Sequence, residues 1–236
     1  MLVTDFHFKS VMYRIVIAAF QLISIGQYHP YRERQRRALH NSVDYIEGRM
    51  PDALGFETQK QMIAYALRQV QVPGHYLEFG VFRGQSIRYM AKRVKPGVTL
   101  HGFDSFEGLP EAWAGFGLDS SAFSRQGRLP KVPANVRLYK GWFSQTLPGW
   151  VAANPGPVAF VHIDCDIYSS TVDLLEALAG CFQPGTIVLF DEYFNYPNWE
   201  RHEFKAWKEF VHKYNVSYEY LAYARHQVAV RVTSIG

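Results

Sequence analysis

Five short apolar runs, each leading into a segment whose apolar residues recur at helical spacing, constrain the fold of this chain more than any other feature. The runs occupy residues 76–81, 98–104, 136–143, 157–166 and 184–194. Helical patterns follow or precede them at residues 51–70, with Thr58 or Glu57 near the start, and at 86–94, 144–154, 171–182 and 200–214. Parallel neighbours need crossover connections and helices are the usual crossovers, so this alternation predicts an α/β fold with a mostly parallel sheet covered by helices on both faces. Residues 217–233 read as two closing strands around a tight turn at Arg225 and His226.

Ligands in such folds sit beyond the carboxyl ends of the strands. Asp104, Gly141, Asp164, Asp166, Asp191 and Glu192 all occupy ends of that kind. In HIDCDIYSST, strand alternation sends Asp164 and Asp166 to one side with His162 one step deeper, and Cys165 to the other side as a core residue. Two carboxylates that close ionise together only when a cation, a shared proton or substrate chemistry offsets their repulsion, so the pair marks a site.

The loop LEFGVFRGQS has Gly80 for a tight turn and Gly84 for a close helix approach, but lacks G-x-G-x-x-G. A cofactor with a small carboxylate and amine suits it better than a dinucleotide pyrophosphate. Glu78 suits an ammonium or sulfonium, and Asp104 stands where an acid commonly binds both hydroxyls of a ribose. Residues 105–135 are long and aperiodic, which predicts a functional lid or a mobile excursion.

The net charge of +4 is mild, and much of it comes from residues 31–40, read as a solvated helix face and not as a nucleic-acid surface. Two cysteines without a CxxC pattern fit a reducing, cytoplasmic setting. Residues 11–26 are apolar but interrupted by Arg14 and Gln21, too short to span a bilayer, and preceded by Asp5. They are expected to form an amphipathic helix packed on the domain or on a second subunit, making a homodimer, with peripheral membrane contact as the alternative. The expected division is an N-terminal helical extension over 1–50 and a catalytic domain over 51–236.

Five ordered blocks, LEFGVFRGQS, GFDSFEGLPEAW, KGWFSQTLPGW, HIDCDIYSST and PGTIVLFDEYFNYPNW, together resemble the macrocin O-methyltransferase family of S-adenosylmethionine-dependent enzymes across roughly residues 55–210. The resemblance implies a Rossmann-like class I methyltransferase fold with a seven-stranded sheet and one antiparallel strand. It implies Mg2+-dependent methylation of a hydroxyl on a sugar or glycosylated secondary metabolite. Glu78, Gly80, Arg83, Gly84 and Ser86 would surround the methionine part of the cofactor and Asp104 its ribose, with Ser105, Gly141 and Trp142 near the adenosine. Asp164 would contact the cofactor and hold the metal with Asp191 and Glu192, leaving Asp166 as the base. Relatives often carry a second aspartate where this chain has Glu192.

His162 reads more readily as a satisfied core histidine than as a catalytic one, and His202 as a solvating residue of a first helical turn. Tyr168, Tyr193, Phe194, Tyr196 and Trp199 flank the acids and divide between sugar stacking and core packing. Two rival readings remain at this level: a D-x-D glycosyltransferase, and a non-catalytic membrane-associated module with an adenosyl pocket.

Overall fold

The computed structural model describes residues 29–113 and 118–236. The apolar segment at 11–26, and with it the expected amphipathic helix, lies outside the described residues. The elements in chain order begin with α1 (Pro30–Arg49), β1 (Leu54–Gly55), α2 (Gln59–Gln69), β2 (His75–Phe79), α3 (Gln85–Ala91) and β3 (Leu100–Asp104). They continue with β4 (Val136–Lys140), α4 (Phe143–Ala153), β5 (Val158–Ile163), α5 (Tyr168–Ala177) and β6 (Ile187–Phe190). Then α6 (Glu203–Lys213), β7 (Ser217–Tyr223) and β8 (Val228–Ser234) follow, and short 3-10 turns at Ala179–Cys181 and Trp199–Arg201 precede β6 and α6.

The sheet order is β1-β7-β8-β6-β5-β2-β3-β4, and β8 runs against both neighbours while the remaining pairs are parallel. The sheet thus has eight strands where seven are expected. The addition is β1, two exposed residues that extend the edge beside β7. It takes the start of the helix expected over 51–70. That helix begins instead at Gln59, where Thr58 and Gln61 form a reciprocal capping box.

All six residues of β5 are buried, as a central parallel strand covered on both faces requires. On one face α6 buries Ala206, Trp207 and Phe210, and the Trp207 ring lies 5.4 Å from that of Phe190 on β6. α1 docks on the same body: Tyr45 and Tyr220 share a 2.6 Å hydroxyl contact, and the Asn195 amide donates to Ser42 Oγ at 2.9 Å. The expected boundary at residue 50 therefore falls between elements that pack together. Arg36 and Arg37 on the outer face of α1 are exposed and pair with Glu33. Among the described residues no helix is long and apolar enough to cross a membrane.

The chain winds outward from β2 through β3 to β4 on one side, and from β5 to β6 on the other. β2 and β5 are adjacent, so the topological switch point lies between their carboxyl ends, where an open α/β sheet leaves a crevice.

Candidate active site

A cleft of about 790 Å3 opens at that switch point. Gly80 sets its floor, with φ of +91° immediately after β2. A Cβ there would stand 1.6 Å from the Asp164 carbonyl oxygen, so only glycine lets the β2 and β5 loops approach this closely. Gly80, Arg83, Ser86, Asp104, Ser105, Gly141, Trp142, Asp164, Asp166, Asp191 and Glu192 all line the cleft. Five separate segments are thereby brought to one place.

Two of the expected residues do not line it. Gly84 caps α3 with φ of +72°, and Glu78 is fully buried beneath the floor, with Oε1 3.0 Å from His162 Nδ1. Burial pushes the Glu78 carboxyl up, partly offset by His162. His162 bridges inward to Glu78 and outward to Asp191, whose Oδ1 is 3.7 Å from Nε2. Burial alone would lower the imidazole; contacts with Asp191 and Glu78 outweigh it and hold it well above its ordinary value. Asp191 responds in the opposite sense: despite burial it is held low by His162 and by Gln59, whose Nε2 donates at 2.7 Å. Gln59, at the first position of α2, is a cleft residue that the sequence reading does not single out.

Alternation along β5 does not account for the aspartate pair. The strand ends at Ile163, and Asp166 follows with a left-handed φ of +68°. The two carboxylates converge because the chain turns back after the strand, with the Ile167 amide donating to the Cys165 carbonyl at 2.7 Å. Candidate ligand atoms within 4.8 Å of one another form two triads, His162, Asp164 and Asp191, and Asp164, Asp166 and Glu192. Asp164 belongs to both, while Asp191 and Glu192 fall in different ones. Burial, reinforced by neighbouring carboxylates, pushes Asp164 and Glu192 well up and Asp166 up to about 7. The Glu192 Oε2 atom is buried without a hydrogen-bond partner. A buried carboxylate oxygen in that state calls for a proton or a cation, so this donor set fits a hard divalent ion.

Two further carboxylates hold the loops. Asp104 Oδ2 accepts from the amides of Val81 at 2.8 Å and Phe82 at 2.6 Å, and Oδ1 from that of Phe106 at 2.6 Å. Phe82 and Phe106 have φ of +47° and +57°. Left-handed backbone costs a non-glycine residue about 1 to 2 kcal/mol, which these charge-assisted bonds offset. Asp104, expected to meet a ribose, thus also ties the β2 and β3 loops together. Glu203 plays a comparable part for Asp166 and Glu192, and it was invisible in the sequence because it reads as an ordinary first-turn acid. Burial and Asp166 push its carboxyl up to about 8.

Four of the five aromatic residues flanking the acids pack in the core, while Tyr168 is half-buried with its hydroxyl donating to Glu209. Tyr193, Phe194, Tyr196 and Trp199 are all buried away from the cleft. The cleft wall is formed instead by Phe82, Trp113, Phe123, Trp142 and Phe143, with Leu109, Pro110 and Leu118. Five of these eight come from the long 105–135 segment, whose described residues therefore form a wall of the site. His202 is buried beside Trp113 and Tyr196 instead of solvating a helix end. Cys165 is buried, and burial raises its thiol well above the ordinary value.

Residues 77–193 match the methyltransferase domain family. The chain is 37% identical over 147 residues to the 8-demethyl-8-(2,3-dimethoxy-alpha-L-rhamnosyl)-tetracenomycin-C 4'-O-methyltransferase of Streptomyces olivaceus, covering 52% of this chain and 54% of that protein. It is 28% identical over 151 residues to the demethyldecarbamoylnovobiocin O-methyltransferase of Streptomyces niveus, covering 53% and 55%. The chain thus spans about half the length of the curated relatives it matches. Among solved structures, a calicheamicin methyltransferase superposes with a TM-score of 0.60 at 23% identity, covering 86% of this chain and 93% of that one. The O-methyltransferase NovP gives 0.57 at 26% identity, covering 75% and 80%.

Proposed function

We propose that this chain, whose residues 77–193 match the methyltransferase domain family, transfers a methyl group from S-adenosylmethionine to a hydroxyl of a sugar or glycosylated secondary metabolite, assisted by Mg2+. The observation that carries this reading is the pairing, in one cleft, of the Gly80 and Asp104 loops with an acid cluster containing the unpartnered Glu192 Oε2. Bound S-adenosylmethionine would supply an activated methyl group, and bound Mg2+ the charge that lowers a hydroxyl's pKa. The residues of the β2, β3 and β4 ends, from Gly80 to Trp142, would hold the cofactor. Asp164, shared by both triads, would hold the ion with Asp191 and Glu192, one from each triad. Asp166 then stands beside Asp164 and Glu192 to accept the proton of the acceptor hydroxyl. The remaining task is alignment of oxygen, methyl and sulfur, for which fixed loops are suited.

The charge of the cleft narrows the acceptor. Asp104, Asp164, Asp166, Asp173, Asp191 and Glu192 line it, whereas Arg83 is the one Lys or Arg among its described lining residues. With a single Arg to pair a diphosphate, the cleft and the apolar described residues of its 105–135 wall fit an uncharged glycoside better than a nucleotide-linked sugar. The D-x-D glycosyltransferase reading is disfavoured by the family match and by the same charge pattern. Incubation with methyl-labelled S-adenosylmethionine and a panel of neutral glycosides and nucleotide sugars tests the proposal. Label is expected on a sugar hydroxyl of the glycosides; transfer confined to nucleotide sugars would refute the acceptor class, and no transfer to any sugar the function.

A further inference from the structure

Glu203 is the first residue of α6, has no exposed surface, and does not line the cleft. Its carboxylate spans two loops. Oε1 accepts from the amides of Cys165 and Asp166, both at 3.3 Å, and Oε2 accepts from the amide of Glu192 at 3.1 Å. Asp166 and Glu192 are two of the three carboxylates in the triad completed by Asp164. Their loops follow different strands, β5 and β6, and Glu203 joins them at the acid centre.

We propose that Glu203 is a positioning residue that sets the separation and direction of Asp166 and Glu192, and so the metal affinity and proton transfer of the site. This rests on the metal-assisted reading of the cleft. Three N–H donors arriving from two loops need two acceptor oxygens. An amide side chain offers one oxygen and turns its NH2 toward the remaining donor, so glutamine fills the same volume without holding both loops. Packing alone does not explain the residue, because another carboxylate beside Asp164, Asp166, Asp191 and Glu192 opposes folding. The held backbone is also the unfavourable one: Asp166 has a left-handed φ of +68°, and its amide is held there by the Glu203 carboxylate.

The test uses the full chain as wild type, Glu203→Gln and Glu203→Asp. Calorimetry titrates Mg2+ and S-adenosylmethionine separately, and hydrogen exchange follows residues 164–167 and 191–193. Glu203→Gln is expected to weaken Mg2+ binding roughly tenfold through loss of a charge-assisted contact, and to weaken cofactor binding less, because none of the three amides Glu203 accepts from belongs to the β2, β3 or β4 ends. Exchange should quicken in both segments, and Glu203→Asp, which keeps two oxygens on a shorter stem, should recover part of the metal affinity. A folded Gln variant with wild-type exchange and wild-type Mg2+ affinity overturns the proposal. If wild type binds cofactor but no Mg2+, the metal reading fails separately, and unchanged exchange in the Gln variant still overturns the positioning role. Should the Gln variant not fold, the Asp variant carries the same comparison.

Discussion

Asp164 and Asp166 sit two positions apart, yet the backbone presents them differently: one directly follows a buried strand, the other lies in a left-handed turn. That difference underlies their separate assignments. Asp164→Asn should raise the Mg2+ concentration needed for turnover, with excess metal restoring part of the rate, since the amide oxygen remains a weak ligand. Asp166→Asn should bind cofactor and metal nearly normally yet lose roughly 100-fold or more in turnover, a loss that added metal does not repair. Steady-state rates across a Mg2+ series distinguish the two; metal rescue of both variants would make the pair a joint ligand set. At this scale the acids themselves were legible in the sequence, because strand ends in an α/β fold are where ligands gather. Gln59 and Glu203 were not. Gln59 meets Asp191 132 positions away and Glu203 meets Cys165 and Asp166 38 and 37 positions away, and neither residue departs from what a first helical turn usually carries.

At the level of elements, β2, β3, β5 and β6 were recoverable from apolar runs, while their ends shifted where backbone conformation overrides periodicity. β4 stops at Lys140 because Gly141, with φ of +144°, breaks the extended chain before the helix that starts at Phe143. β1 escaped notice because two exposed residues carry no apolar signal. The aromatics after β6 were equally ambiguous in sequence, since alternation cannot distinguish a ring under a loop from one facing a cleft. β3 also carries a pH dependence. His101 Nδ1 accepts from the Trp150 indole at 3.3 Å and contacts the Tyr139 hydroxyl at 2.9 Å, and burial, followed by His75 and Arg137, lowers its pKa to about 4. The unfolded chain takes up this proton near pH 6.5, before the fold does. The contribution to stability is therefore complete above about pH 6.5 and is lost as pH falls toward 4. Urea denaturation across that window should show a shallower decline for His101→Gln than for wild type; parallel declines would mean that His101 does not titrate differently on unfolding.

The whole molecule places its chemistry at a switch point of the sheet, and the described cleft draws on residues between Gln59 and His226. Removal of residues 1–28 is accordingly expected to leave S-adenosylmethionine affinity within about twofold, because the described lining of the cleft starts at Gln59. A folded truncation that no longer binds would bring the N-terminal segment into the site. The proposed function makes this cleft a cofactor site for methyl transfer and not a nucleotide-sugar site. Calorimetric titration of the intact chain with S-adenosylmethionine and with a nucleotide sugar, each with Mg2+ and with EDTA, separates the two. Saturable binding of S-adenosylmethionine in both conditions, lost by at least tenfold in Asp104→Ala as three amides and a ribose lose their acceptor, is the predicted result. Metal-dependent binding of the nucleotide sugar with none of S-adenosylmethionine would contradict it.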